Sequence, residues 1–241
     1  MIQKYLISIL KIPILKQITT YMLEQIHMFS IEFAKRTQKT FVRPRSWSNI
    51  ELRKFSHLFT GKVVNVSGWK DEDKEGNYYK NYFTNASEYY VSNYKGESGL
   101  SNIDNEIFLD LSTPVDQELK NKFDVVFNHT VLEHIFEIDT AFKNLCDMSD
   151  DVVIIILPFL QSVHYIEGSF GDYWRFSPMA IKELFKKNGF TTIYQSANDN
   201  KFYNIYTFTI ATKNPEKYDN LITKKFIDND IIGEKLFGLR K

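Results

Sequence analysis

Hydrophobic and polar positions follow two different periods along this chain, and the switches between them mark its elements. Lys62–Val66, Glu88–Asn93, Glu106–Leu109 and Phe123–Phe127 are short apolar or β-branched runs and read as strands. Val152–Leu157, bounded by Pro158, is the most hydrophobic run and reads as a strand buried on both faces. Phe190–Gln195 and Tyr203–Thr212 complete the set, separated by the turn-forming Asn198-Asp199-Asn200. Between the strands the period becomes helical. Leu132, Ile135, Ile138, Phe142 and Leu145 predict one helix over 130–148. Ser177 caps a helix that opens on Pro178, runs to Asn188 and stops at Gly189. Asp73–Phe83 reads as a short helix. Ser48 and Glu51 form a capping box for another, ending near Phe59 before Gly61.

Strands that alternate with helices predict a mainly parallel sheet covered on both faces. The last two strands are joined by a polar turn and are expected to run antiparallel to each other. Ahead of this body, residues 1–30 mix Tyr5, Leu6, Ile9, Leu10, Ile14 and Leu15 with Lys4, Lys11 and Lys16. No small-residue cleavage site follows, and Lys11, Pro13 and Lys16 interrupt the run, which argues against a signal peptide and a spanning helix. Pro13 is expected to split the segment into two helices. These form a helical cap, a membrane-surface helix or a subunit contact. The expected organisation is a helical extension over 1–60, an α/β domain over 61–212 and a tail over 213–241.

Charge sharpens that division. The whole chain is neutral, with 30 basic and 30 acidic side chains, which argues against a dedicated nucleic-acid binder. Residues 1–62 nevertheless carry a net +8, and residues 63–211 a net −10. Hydrophobic residues at 43% and charged residues at 25% exclude a disordered chain or a disulfide scaffold. Cys146 is the single cysteine, so no intrachain disulfide forms, and a reducing, cytoplasmic setting is expected.

In an open α/β sheet the ligand lies at the carboxyl ends of the strands. The residues to inspect are therefore Asn65–Trp69, Asn93–Gly96, Asp110, Asn128–His134 and Pro158–His164. Phe123-Asp-Val-Val-Phe-Asn-His-Thr-Val-Leu-Glu-His134 resembles the fourth motif of class I S-adenosylmethionine-dependent methyltransferases. Gly171-Asp-Tyr-Trp-Arg-Phe-Ser-Pro178 resembles a stretch of small-molecule methyltransferases found near cell-surface polysaccharide genes. The resemblance covers about 60–212. It implies a Rossmann-like, mostly parallel seven-stranded sheet with an antiparallel last strand, S-adenosylmethionine as cofactor, and a small acceptor such as a sugar hydroxyl. It also implies roles for individual residues. Asn65, Val66, Ser67, Gly68 and Trp69 would face the methionine end. Asn93, Tyr94, Asp110 and Leu111 would hold adenosine, with Asn128 and His129 lining the cleft. His134 or His164 would be the base, with Asp172 beside them. Tyr173, Trp174 and Arg175 would meet the acceptor, unless Asp172 and Arg175 form a buried pair.

Two departures from the family pattern bear on activity. Asn65 stands where the first motif has a carboxylate, and Trp69 where it has a second glycine. Asn93 stands where the family places an acid on the ribose. A buried charge-assisted hydrogen bond is worth about 1.5–3 kcal/mol, roughly tenfold to a hundredfold in affinity. The Asp71-Glu72-Asp73 run either replaces the lost charge or is a solvated loop. The alternative to an enzyme is thus a pseudo-methyltransferase that serves as a binding or scaffold protein. A phosphate-bearing nucleotide is a third ligand class, but no phosphate-cradling glycine loop is present. His129, His134 and His164 match no common zinc spacing.

Overall fold

The computed structural model describes residues 13–37, 44–94, 104–198 and 204–227. Residues 1–12, Gly96, the Asp199-Asn200 turn and the end of the tail lie outside the described residues. The chain divides into two compact units, residues 1–42 and 43–241. The first contains α1 (Pro13–Thr37), which opens on its proline. Leu15, Ile18, Met22, Ile26 and Phe29 recur along it at spacings of three and four and are exposed.

The second unit holds α2 (Pro44–Phe55) and a seven-stranded sheet in the order β3-β2-β1-β4-β5-β7-β6. Its strands are β1 (Gly61–Val66), β2 (Ala86–Asn93), β3 (Glu106–Phe108), β4 (Phe123–His129), β5 (Ser149–Leu160), β6 (Thr191–Ala197) and β7 (Ile205–Thr212). Helices α3 (Ile138–Met148) and α4 (Pro178–Lys187) follow β4 and β5. β1 to β5 pair in parallel. β7 runs antiparallel to both β5 and β6, so it alone is reversed in the sheet.

Side chains alternate across the strands, and each face has its own apolar layer. Val64, Val126, Val153 and Ile155 pack with Phe142, Leu145, Ile181 and Phe185 of α3 and α4. Val63, Val125, Phe127 and Ile154 pack with Leu52 and Phe55 of α2 and with Tyr79, Tyr82 and Phe83. Cys146 lies inside the first layer, where burial pushes its thiol up to about 12 and makes it inert.

Four predicted elements differ. The helix expected over 130–148 begins only at Ile138; ahead of it, Leu132–His134 form a single 3-10 turn. The break is set at Thr130, which is left-handed at φ 53°, a conformation rare for a β-branched residue. The helix expected over Asp73–Phe83 is a loop with one 3-10 turn, Tyr79–Asn81. Lys74 and Gly76 at positive φ exclude a helix there, and Asp73 Oδ1 accepts from the Glu75 and Asn77 amides instead. The helix expected to start at Ser48 starts a turn earlier, at Pro44, and Ser48 is buried inside it. Pro158 lies within β5 rather than ending it. The last residue β5 pairs with β4 is Ile156, so beyond it only β7 is a neighbour and the missing proline donor costs little.

Candidate active site

The carboxyl ends of β1, β2 and β4 meet at one edge of the sheet. After β1 the backbone turns through Ser67 and Trp69, both at positive φ, with Gly68 between them. A methyl group on Gly68 would sit 2.6 Å from Asn65 Nδ2 and 3.0 Å from Val91 Cγ1, so this position admits only hydrogen. The amides of this turn are spoken for. Ser67 donates to Ser92 Oγ, Gly68 to the Ser92 carbonyl and Trp69 to Asn93 Oδ1. Asn93 returns its own Nδ2 to the Trp69 carbonyl and to Glu106 Oε1. The Asn93 amide, expected at the ribose, thus ties the β1 turn to β2 and β3.

Asn65 is buried and donates to Asp71 Oδ1 at 2.8 Å. Asp71 also accepts from Tyr89 Oη and the Lys80 amide. Burial raises its carboxyl, and these three donors pull against that rise. A carboxylate is therefore restored beside the first motif, six residues late. In the acidic run, Asp71 and Asp73 are buried and Glu72 is exposed, so the run is no simple solvated loop.

β4 ends on two side chains that point to opposite faces. Asn128 donates to the Val66 carbonyl, and its buried Oδ1 has no partner. His129 faces α2 and is buried there. Its Nδ1 lies 3.0 Å from Arg45 Nη1 and its Nε2 lies 3.0 Å from Ser48 Oγ. Since arginine only donates, Nδ1 accepts and Nε2 carries the proton. Burial, then Arg45 and Lys74, drive its basicity well below the ordinary range, so this ring is neutral. Arg45 also donates to Thr130 Oγ1 at 2.8 Å, which holds the strained junction in place.

The turn beyond it presents Glu133 and His134. His134 Nδ1 lies 2.5 Å from the Gly171 carbonyl and must donate to it, leaving Nε2 as the basic nitrogen. Burial lowers its basicity, against the Gly171 bond. Its ring centroid is 5.0 Å from that of His164. Glu133 is 1% exposed, and burial pushes its carboxyl up to about 8. Its Oε2 has no partner. A lone acid between Leu132 and His134 has no periodic signature that would single it out in the sequence.

Asp172 has a fully buried side chain. Its carboxylate takes Arg175 Nη1 and Nη2 at 2.5 and 2.6 Å and the His164 amide at 2.7 Å. Burial acts to raise this carboxyl, but the Arg175 bonds prevail and hold it down to about 2. The remaining Arg175 donors go to the carbonyls of Gln161, Ser162 and Trp174. Arg175 is thus a staple of the 161–177 loop, not a clamp open to a ligand, because its five N–H groups are all used internally. Asp172 also fixes the backbone of His164 through that residue's amide. Trp174 Nε1 donates to the Ile135 carbonyl and its ring stacks on Phe136. Tyr173 at 53% exposure and Phe136 at 61% form an open aromatic edge.

The remaining predicted residues are dispersed. Asp110 is half-buried after β3 and accepts from the Ser112 amide and hydroxyl. Leu111 belongs to the apolar core. Tyr94 is exposed, with its ring 5.8 Å from Phe108. Val66 is buried and presents only its carbonyl, to Asn128.

Comparison with solved structures bears on this arrangement. A Burkholderia thailandensis 1,6-didemethyltoxoflavin-N1-methyltransferase, solved with 1,6-didemethyltoxoflavin and S-adenosylhomocysteine, superposes with a TM-score of 0.50. The match covers 82% of this chain and 89% of that one at 16% identity. The chain has the class I methyltransferase fold. The cyclase SpnF also matches at a TM-score of 0.50, over 70% of this chain and 81% of that one, at 10% identity. This fold therefore hosts chemistry other than methyl transfer, and function has to be argued from the site. No protein-family profile matches the chain, and no curated protein does either.

Proposed function

We propose that the protein transfers a methyl group from S-adenosylmethionine to the hydroxyl of a small acceptor, a sugar or surface-glycan precursor. The observation that carries this reading is two unpartnered carboxamide and carboxyl oxygens, one near the end of β4 and one in the 3-10 turn beyond it. Asn128 Oδ1 and Glu133 Oε2 are buried with no donor. An unmet buried acceptor costs about 1–3 kcal/mol, and a ligand that brings positive charge and N–H donors would recover it. The cofactor's sulfonium and ammonium fit that donor set. When bound, it supplies an electrophilic methyl group. Asn65–Trp69 then shape the methionine end, and Asp110 and Asn93 border adenosine. His134 Nε2 takes the acceptor proton, with His164 alongside it. The open aromatic edge of Tyr173, Phe136 and Trp174 suits the apolar face of a sugar.

The protein is proposed to work in the cytoplasm. No described helix is long and apolar enough to cross a membrane. The exposed apolar stripe of α1, within a strongly basic segment, suits a peripheral contact with an anionic membrane where lipid-linked precursors reside.

Calorimetric titration with S-adenosylhomocysteine tests the cofactor reading. Micromolar binding, weakened at least tenfold in Asp110→Ala, is the expected result. The pseudo-methyltransferase reading is favoured by one observation: the Ser67–Trp69 amides and the Asn93 amide are already satisfied within the protein. Absence of binding at millimolar ligand would select it.

A further inference from the structure

The proposal above uses Glu133 only as an unmet acceptor, although its side chain is almost fully buried. Its Oε1 lies 3.7 Å from His134 Nε2, and its Oε2 has no partner. No lysine or arginine among the described residues forms an ion pair with it. Since His134 Nδ1 gives its proton to Gly171, Nε2 keeps its lone pair, 3.7 Å from the Glu133 carboxyl and not hydrogen-bonded to it. The charged and titratable groups that face Glu133 are Arg45 of α2, Asp172 and Arg175 of the 161–177 loop, and Tyr206 of β7. Arg175 is already neutralised by Asp172, and Arg45 is turned to His129 and Thr130. A carboxylate here has no counter-charge of its own, and a buried acid without one keeps its proton.

We propose that Glu133, beside a neutral His134, holds a proton in the free protein and releases it when the cationic cofactor binds, and that the two residues then take up the acceptor's proton in its place. This rests on the cofactor reading above. The arriving positive charge supplies the missing counter-charge, so the pair is deprotonated and basic only when a methyl donor is present. In the transfer the acceptor O–H bond breaks and its proton passes to the pair. The oxygen's electrons form the bond to the methyl carbon, and the carbon–sulfur electrons remain on sulfur in a neutral thioether. Charge balances: one cation enters, a neutral thioether leaves, and the pair is again protonated. The proton lost per turnover is the one shed on cofactor binding.

S-adenosylmethionine and S-adenosylhomocysteine differ by that methyl group and its positive charge, so the pair of ligands isolates the effect. Each is titrated calorimetrically at pH 7 in two buffers of different ionisation enthalpy, which gives the protons released. A carboxyl pushed up to about 8 is mostly protonated at pH 7, so the methyl donor should release a further fraction of a proton that the thioether does not. The excess should vanish in Glu133→Gln and at pH 9.5. Should Glu133→Gln not fold, carbon NMR of labelled glutamate in the wild-type protein reads the same group. One carboxyl should titrate near pH 8 in the free protein and move down with the methyl donor only. Binding of both ligands with equal proton release would overturn this inference and leave the cofactor reading standing. Binding of neither would overturn both.

Discussion

Replacing Gly68 by alanine tests whether the turn after β1 is built around Asn65. The added methyl would lie 2.6 Å from Asn65 Nδ2 and 2.7 Å from Asn65 Cγ, closer than packed atoms approach. Val91 Cγ1 at 3.0 Å closes the other side, so the Asn65 amide must give way. That amide donates to the buried Asp71 at 2.8 Å, and Asp71 keeps only Tyr89 and the Lys80 amide if it moves. Losing a hydrogen bond to a buried carboxyl costs about 1.5–3 kcal/mol. Overpacking costs about 1–3 kcal/mol, part of it relieved by the same movement. The expected loss is about 2–4 kcal/mol, a fall in melting temperature of roughly 10 °C for a chain of this size. Urea unfolding of Gly68→Ala, Asn65→Ala and the double variant separates the causes. With Asn65 shortened, the new methyl has room, so Gly68→Ala should cost under about 1 kcal/mol in that background. Strict additivity, or a single variant within about 0.5 kcal/mol of wild type, would refute the argument.

Two further outcomes are expected. The Asp172 carboxyl sits at about 2, below its ordinary 3.8, so it stabilises the fold above pH 4 and that contribution is lost as the pH falls through 2; thermal melts of Asp172→Asn should lack this acid limb, and identical pH profiles would show that the staple adds nothing. Ser48→Ala leaves the buried His129 Nε2–H without an acceptor and should cost about 1–3 kcal/mol in chemical denaturation, while nitrogen NMR of wild-type His129 should report a neutral ring protonated at Nε2.

The sheet was legible because its buried central strands announce themselves as apolar runs, β4 and β5 most clearly. The helix after β4 was only half legible. Leu132 and Ile135 have helical spacing with Ile138 and Phe142, yet they turn inward from a 3-10 turn and a loop, and period alone does not separate the two. The stretch Asp73–Phe83 is a loop and not the expected helix because its shape comes from tertiary partners. Asp71 is fixed by Asn65, Tyr89 and Lys80, and Asp73 by Tyr82 and the amides of its own turn. The His134–His164 approach and the Asp172–Arg175 pair were accessible from motif order and i,i+3 spacing. The Arg45–His129 bond spans 84 positions, and no local pattern carries it.

The place of β7 between β5 and β6 sets a timetable for making this protein. Among the described strands β7 is the last to be synthesised, yet it covers the open edge of β5 and is the strand neighbour of β6. The chain must grow from residue 160 to residue 212 before that edge can close, which takes roughly 3–10 s at ordinary rates of translation. Through that interval β5 offers a run of Val152, Val153, Ile154, Ile155, Ile156 and Leu157 with one unpaired side, the arrangement most prone to pair with another chain. Chains that end between β5 and β7 lack the strand that covers this edge, and they are expected to sediment as aggregates under conditions in which the full chain does not.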